Sequence, residues 1–396
     1  MKYRKSITFI SLLTSLSLVS AGTAFAGTIN GSGATFALPL VDACKVDFNK
    51  EKGHTVNYPG GGSGKGRTDF SAGNLVDFAG SDAAYSTGEP ANIVYVPAYA
   101  APIAIMYNLP TVKESIYLTP ATLAQIFSGY ITNWDDKAIA ADNERVVKTP
   151  IYATTTKKVK DKNGKMVTKT VPLLDKKGKP KVTGYDEKTV NIDLPKQPIT
   201  VWYRTDSSGT SENFTRFLKE ANAGANERLW PKAASSTFSN ATPNNISTFF
   251  NFQGGSGSAA IAAGTAGKVG AISYAELSFA TDNKLGVANI QNAAGEFVAP
   301  SAAGTAAFLG AGNIQANGVV VLDFKKAVPG AYSLGTTSYG LGYPAASAKN
   351  ADTQKIVAEW FTFLLEQCPT KYPEKGYAKI TGPLYDKAKA QIALIK

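Results

Sequence analysis

The sequence predicts an α/β fold in two domains, and three observations predict it. Short apolar runs rich in β-branched and aromatic residues alternate with segments of helical period, the order of a sheet covered by helices. The 396 residues exceed what one ordinary core accommodates. After the N-terminal leader, the richest apolar stretch, 261–272, is mostly Ala and Gly, so no segment has the length and apolarity of a membrane-spanning helix.

The chain opens with Lys2, Arg4 and Lys5, an apolar run from Ile7 to about Val19, and Ala24-Phe25-Ala26. A basic start, a short apolar stretch and a small-x-small triplet form the pattern of an export leader cut near Ala26-Gly27. Thr8, Ser11, Thr14, Ser15 and Ser17 interrupt the run, leaving it short of the roughly 18 apolar residues of an anchor. No Cys directly follows it, so the usual lipoprotein attachment site is absent. Residues 1–26 are therefore expected to be a signal peptide, and the remaining chain is expected in the periplasm or secreted. Any membrane partner is then a separate protein.

From Thr28 onward, Val56-Asn57-Tyr58, the segment around Val76-Asp77-Phe78, and Ile93-Val94-Tyr95-Val96-Pro97 predict strands, with helices over 39–50 and 65–72 between them. Thr119 as N-cap and Pro120 at the first helical position start a helix through Leu123, Ile126 and Phe127 that ends near Gly129. Beyond Trp134-Asp135-Asp136, Asp161-Lys162-Asn163-Gly164 and Asp175-Lys176-Lys177-Gly178 lie between Val- and Thr-containing segments and predict two β-hairpin turns. Ile199-Thr200-Val201-Trp202-Tyr203 predicts a buried strand leading through a polar turn into a helix with Phe214 and Phe217. A Gly/Ala-rich stretch, 254–270, precedes a strand over 271–274, and two amphipathic helices, 356–365 and 385–394, close the chain.

The formal charge of +11 falls to +8 once Lys2, Arg4 and Lys5 leave with the leader, which favours anionic partners. Much of the surplus sits in one Lys-rich stretch after Thr156 without the aromatics of a base-stacking surface, so no nucleic-acid partner is expected. The lone histidine, His54, has no nucleophile-elbow motif beside it and is expected in a solvated loop. One histidine and two distant cysteines offer no ligand spacing, so neither metal nor cofactor is expected. Cys44 and Cys368 meet an oxidising compartment after export, which allows a disulfide between them. Two free thiols stay open as the alternative, because pairing depends on geometry.

Gly60 to Gly66 invites comparison with a P-loop, but Pro59 stands where the first Gly belongs and Gly66 where Ser or Thr should follow Lys65. The weaker reading holds: small residues that expose backbone N–H groups to an anion. Similar places recur at Gly33-Ala34-Thr35-Phe36, at Ser81-Asp82 and at Arg204-Thr205-Asp206-Ser207-Ser208-Gly209-Thr210. The last follows a strand and opens a helix, where amides and hydroxyls meet an anion. In chain order, Gly33 to Phe36, Val56-Asn57-Tyr58 with Gly60 to Ser63, Asp77-Phe78 with Gly80-Ser81-Asp82, Trp134-Asp135-Asp136, and Arg204 to Ser211 resemble the periplasmic phosphate-binding proteins of Pst-type phosphate ABC importers. The resemblance covers most of the chain after the leader and fades across about 148–196.

That resemblance implies a two-lobed periplasmic-binding-protein fold, type II-like, with the ligand cleft between the lobes. It implies a phosphate met by the backbone amides of Thr35 and Phe36, the hydroxyls of Thr35 and Ser63, and the helix-terminal donors of Ser208, Gly209 and Thr210. Arg204 would give the forked, charge-assisted contact, and Asp206 would hold Arg204 in place. Asp82 beside a dianion repels it unless the anion carries a proton that the carboxylate can accept. Hydrogen phosphate has such a proton and sulfate at neutral pH has none, so Asp82 would discriminate between them. Two departures stand out: Lys65 and Arg67, which would attract anions or face solvent, and 254–267, which lacks the expected Asn-containing Gly loop.

Lobe I is expected over 27–104 and 290–396, lobe II over 105–289, with an insertion at about 148–196. The chain would cross near 101–107 and return near 285–299, which places both cysteines in lobe I. The insertion's Lys157, Lys158, Lys160, Lys162, Lys165 and Lys169 suit a solvated hairpin, or a dock for an acidic partner or cell-surface polyanion. The function implied is capture of inorganic phosphate by a monomer that hands it to the membrane permease of an ABC importer. The rivals are a secreted phosphatase and an extracellular phosphate-binding adhesin or sensor.

Overall fold

The computed structural model describes residues 26–73, 75–160, 165–347 and 350–395. The expected leader, up to residue 25, and the expected turn Asp161-Lys162-Asn163-Gly164 lie outside the described residues. The chain begins with β1 (Thr28–Gly33), α1 (Leu38–Lys52), β2 (Thr55–Asn57), α2 (Ser63–Ser71) and β3 (Phe78–Ser81). Pro39 in the first turn of α1 and Gly53 at φ 74 after its last residue fix where that helix starts and stops. The strand expected from Val76 begins at Phe78, because Asp77 is held by Asn30, its carboxylate accepting the Asn30 amide at 2.7 Å. His54, expected in a solvated loop, is only 9 % exposed: its Nδ1 accepts the Gly27 amide at 3.1 Å as β1 folds over it.

β4 (Val94–Tyr107) is buried along all of its length. Proline removes a ladder donor and is tolerated in sheets only where pairing breaks. Both prolines of β4 sit at such places: Pro97 beside a register shift opposite Ser338/Tyr339, and Pro102 where the strand changes partners. β5 (Tyr117–Leu118), α3 (Pro120–Phe127) and α4 (Lys137–Asn143) follow. The Thr119 hydroxyl accepts the Thr122 amide at 3.2 Å, the N-cap that opens α3.

The Lys-rich region then leaves the body as β6 (Glu144–Tyr152), β7 (Thr154–Lys160), β8 (Met166–Pro172) and β9 (Val182–Asn191). β6 pairs antiparallel with β9 as a stem, and β7 pairs with β8 as a ribbon. Residues 173–181 form a third arm, a turn in which the Asp175 carboxylate accepts the amides of Lys177 and Lys179. The arms meet in a closed triangle of backbone hydrogen bonds: Ala153 to Lys181, Lys181 to Leu173, and Leu173 to Ala153. The second turn thus closes a short arm of its own at a branch point.

The body resumes with β10 (Thr200–Arg204), α5 (Gly209–Ala221), α6 (Phe238–Ala241), β11 (Phe252–Gly255), α7 (Ser258–Ala266), β12 (Ala271–Glu276) and α8 (Leu277–Asp282). Short strands β13 (Gly286–Val287), β14 (Asn289–Gln291) and β15 (Phe297–Val298) lead to α9 (Ala302–Gly310), β16 (Asn313–Ile314) and β17 (Val320–Val321). The chain ends with β18 (Gly335–Gly342), α10 (Ala351–Glu366), α11 (Cys368–Lys371) and α12 (Gly382–Ala393).

The main sheet runs β11-β10-β12-β4-β18-β3-β1-β2, with β13 also on β4. β18 pairs with β4 from Val94 to Pro102, whereas β12 takes β4 from Ile103 to Tyr107. One strand therefore serves a first half (β2, β1, β3, β18) and a second half (β12, β10, β11), handing over between Pro102 and Ile103. Phe48, Trp360 and Phe363 pack in the first half and Phe127, Phe214 and Tyr274 in the second. A disulfide joins Cys44 of α1 to Cys368 of α11, with Cα atoms 5.9 Å apart. Among the described residues, no helix is long and apolar enough to cross a membrane.

Candidate functional site

Three helices present their N-termini to one buried place between the halves. Each terminus carries unsatisfied amides and partial positive charge. α2 starts at Ser63 after Gly62, α7 starts at Ser258 after Gly257, and α5 starts at Gly209 after Ser208. The Ser208 hydroxyl accepts the Ser211 amide at 3.1 Å. Gly62 and Gly257 share a conformation closed to ordinary side chains, φ 93, ψ 152 and φ 84, ψ 160. A Cβ on Gly62 would also lie 2.5 Å from the Asp206 carboxylate. Contacts across the halves draw the termini together: Gly64 donates its amide to the Ser207 carbonyl at 2.9 Å, and Ser258 donates its amide to the Thr35 hydroxyl at 3.2 Å.

Arg204, the last residue of β10, is buried in this place at 1 % exposure. Its Nε donates to Asp206 Oδ1 at 2.6 Å, its Nη2 donates to Asp206 Oδ2, and its Nη1 donates to Ser258 Oγ at 3.0 Å. Asp206 is fixed in turn by the Gly257 amide at 2.9 Å. Burial pushes the Asp206 carboxyl up, but the Arg204 fork outweighs it and holds it below the usual carboxylate range. A guanidinium has five N–H donors. Three are engaged, so two remain without a partner among the described residues.

Asp82 follows β3 and is 2 % exposed. Its carboxylate accepts from Ser338 at 2.5 Å, Ser63 at 3.4 Å and Thr210 at 3.5 Å. Its amide donates to Ser63 Oγ at 3.2 Å, and its carbonyl accepts Asn213 Nδ2 at 2.6 Å and Thr336 Oγ1 at 3.0 Å. Burial raises its carboxyl to about 6, against the opposing pull of Ser338, Arg204, Ser63 and Thr210. A buried acid and a buried guanidinium are thus each hydrogen-bonded to serine hydroxyls.

The structure brings Thr35, Ser63, Asp82, Arg204, Asp206, Ser208, Gly209 and Thr210 into this one region. The Phe36 ring turns into the core, 6.3 Å from the Tyr377 ring, and its carbonyl accepts the Tyr377 hydroxyl at 2.5 Å. Lys65 faces solvent as expected, its side chain 54 % exposed, whereas Arg67 neither faces solvent nor stands free to attract an anion. Lys65 pairs with Asp69 at 2.6 Å, and Arg67 is largely buried, donating to the Ala83 carbonyl at 3.0 Å and lying 3.6 Å from Glu212 of α5. Sequence reasoning missed Ser258 and Ser338. Ser258 carried a signal, since Gly257-Ser258 repeats the Gly62-Ser63 pairing after a strand, whereas Ser338 stands in β18 without any local motif. Among the described residues, no cluster of three or more His, Cys, Asp or Glu could hold a metal ion.

The family model for a PBP superfamily domain matches residues 19–366. The phosphate-binding protein PstS2 of Mycobacterium bovis (strain BCG / Pasteur 1173P2) is 31 % identical over 324 residues, covering 76 % of this chain and 70 % of that protein. The phosphate-binding protein PstS of Xylella fastidiosa (strain Temecula1 / ATCC 700964) is 27 % identical over 282 residues, which is 70 % of this chain. The match spans 61 % of that relative's length. Among solved structures, a periplasmic phosphate-binding protein (PfluDING) bound with phosphate superposes with a TM-score of 0.61 at 20 % identity, covering 92 % of this chain and 93 % of that one. A phosphate-binding protein from Stenotrophomonas maltophilia gives 0.58 at 19 % identity over the same shares. At these identities the solved structures speak to the fold.

Proposed function

Because the chain belongs to the PBP superfamily, and within it to the PstS phosphate-binding proteins, we propose that it captures inorganic phosphate between its halves and delivers it to the membrane permease of an ABC importer. The observation that carries this reading is the buried Arg204 fork, clamped by Asp206 with two donors left over, at the meeting point of three helix N-termini. An oxyanion of phosphate size supplies the missing acceptors. Thr35 and Phe36 lend amides, Thr35 and Ser63 hydroxyls, and Ser208, Gly209 and Thr210 the α5 terminus.

Asp82 supplies the specificity. Already met by three hydroxyls, it accepts the proton of hydrogen phosphate and repels an anion that has none. Closure of the two halves, with β4 as the shared strand, gives a loaded state that the permease can distinguish from the empty one. Lobe I comprises 27–104 and 290–396, and lobe II 105–289. Capture takes place outside the inner membrane, after cleavage near Ala26-Gly27. A phosphatase reading has less to rest on: Ser63 and Thr35 have Asp82 and Ser258 for neighbours, while His54 sits against Gly27 and Glu359.

Calorimetric titration of phosphate-stripped protein with phosphate and sulfate, wild type and Asp82→Asn in parallel, tests this reading. Wild type should bind phosphate and ignore sulfate, and the variant should lose most of that discrimination. Absence of phosphate binding by the stripped wild type would refute it.

A further inference from the structure

Residues 153–181, the ribbon and turn beyond the stem, contain ten lysines, two aspartates, no arginine and no aromatic residue. The resulting surplus of eight charges equals the whole surplus of the chain from Gly27 onward. The rest of the protein is therefore neutral in sum, and its long-range positive field originates in the branched arm.

The same arm displays apolar side chains. Leu174 is 56 % exposed, Met166 52 % and Leu173 40 %, and at the head of the stem Ile151 and Val182 are 51 % and 41 % exposed. Leu173 and Leu174 stand at the branch point, whose third arm carries Lys176, Lys177, Lys179 and Lys181. The ribbon also sets Lys157 directly opposite Lys169, a like-charge pair that weakens an isolated ladder and that an anionic surface relieves.

We propose that this arm is a membrane-surface anchor, its lysines meeting anionic lipid headgroups and its exposed leucines entering the interface. Basic and aliphatic side chains on one element are the chemistry of interfacial binding. Single-stranded nucleic acid is read by stacked aromatics, and residues 153–181 have none. A soluble polyanion would use the lysines and leave the leucines without a role. The anchor holds a capture protein on the surface where an importer would lie, yet it involves no residue of the anion site.

The test is flotation of the protein from residue 27 onward with phosphatidylcholine vesicles and with vesicles that contain phosphatidylglycerol, at low and high salt. Binding is expected only to the anionic vesicles and only at low salt. Each lysine near such a surface contributes about fivefold in affinity, so K176Q/K177Q/K179Q/K181Q should lose at least about tenfold. L173S/L174S should lose severalfold at unchanged charge. Thermal melting equal to wild type establishes that both variants are folded. Equal binding to neutral vesicles, no binding to anionic ones, or indifference to either variant overturns the proposal. Binding to soluble polyphosphate without vesicle binding overturns it too, in favour of a charged polymer.

Discussion

At the residue scale, Asp82 shows how burial and hydrogen bonding set a titration. Removal from water disfavours its charged form and lifts the carboxyl to about 6, while Ser338, Arg204, Ser63 and Thr210 restrain the rise. The folded value lies above the ordinary 3.8, so the protonated acid's contribution to stability is complete below 3.8 and is lost as pH rises through 6. The loss is on the order of 3 kcal/mol. Glu276, lifted by burial from 4.5 to about 8, adds a second decline that overlaps the first and continues beyond it. Thermal melting of the phosphate-free protein from pH 4 to 9 should therefore fall with pH. Asp82→Asn should make the part up to about pH 6 shallower and leave the later part, which belongs to Glu276, intact; an unchanged profile would place the titration elsewhere. The sequence marks Asp82 through the Gly80-Ser81-Asp82 motif. It is silent on Ser338, 256 residues away, because that contact exists only once β18 is laid against β3 and β4.

At the scale of elements, the site rests on a unit used twice: a strand, a glycine at positive φ, and a serine opening a helix, at Gly62-Ser63 and again at Gly257-Ser258. Both glycine-rich stretches are visible in the sequence, yet only the first was assigned to the site, since the second sits among Ala and Gly that equally suit a plain helix. Ser258→Ala removes a partner from both Arg204 and Thr35. It should weaken phosphate binding by about 1–2 kcal/mol, roughly 5- to 30-fold. Ser256→Ala, at an exposed neighbouring position, should leave binding unchanged in the same titration. The arm was legible only as charge and two turns. Its branching depends on β6 finding β9 across both smaller arms, a long-range pairing that no local spacing encodes.

At the scale of the molecule, the disulfide ties α1 to α11 across 324 residues of chain. Its partners could be proposed from compartment and family, whereas the pairing itself needed the packed first half. Replacing both Cys44 and Cys368 by Ser should cost about 2–4 kcal/mol in denaturant unfolding, with phosphate affinity retained because neither residue belongs to the site. Equal stability would mean that packing of α1 on α10 suffices without the covalent tie.

The place of β18 in the sheet also sets a timetable for biosynthesis. β3 ends at Ser81, and the strand that must lie between it and β4 begins only at Gly335. At about 5–20 residues per second, that partner emerges roughly ten to fifty seconds later. Throughout this interval the first half of the sheet has an open seam between β3 and β4. Strand order thereby postpones closure of the first half of the sheet until synthesis has passed Gly342.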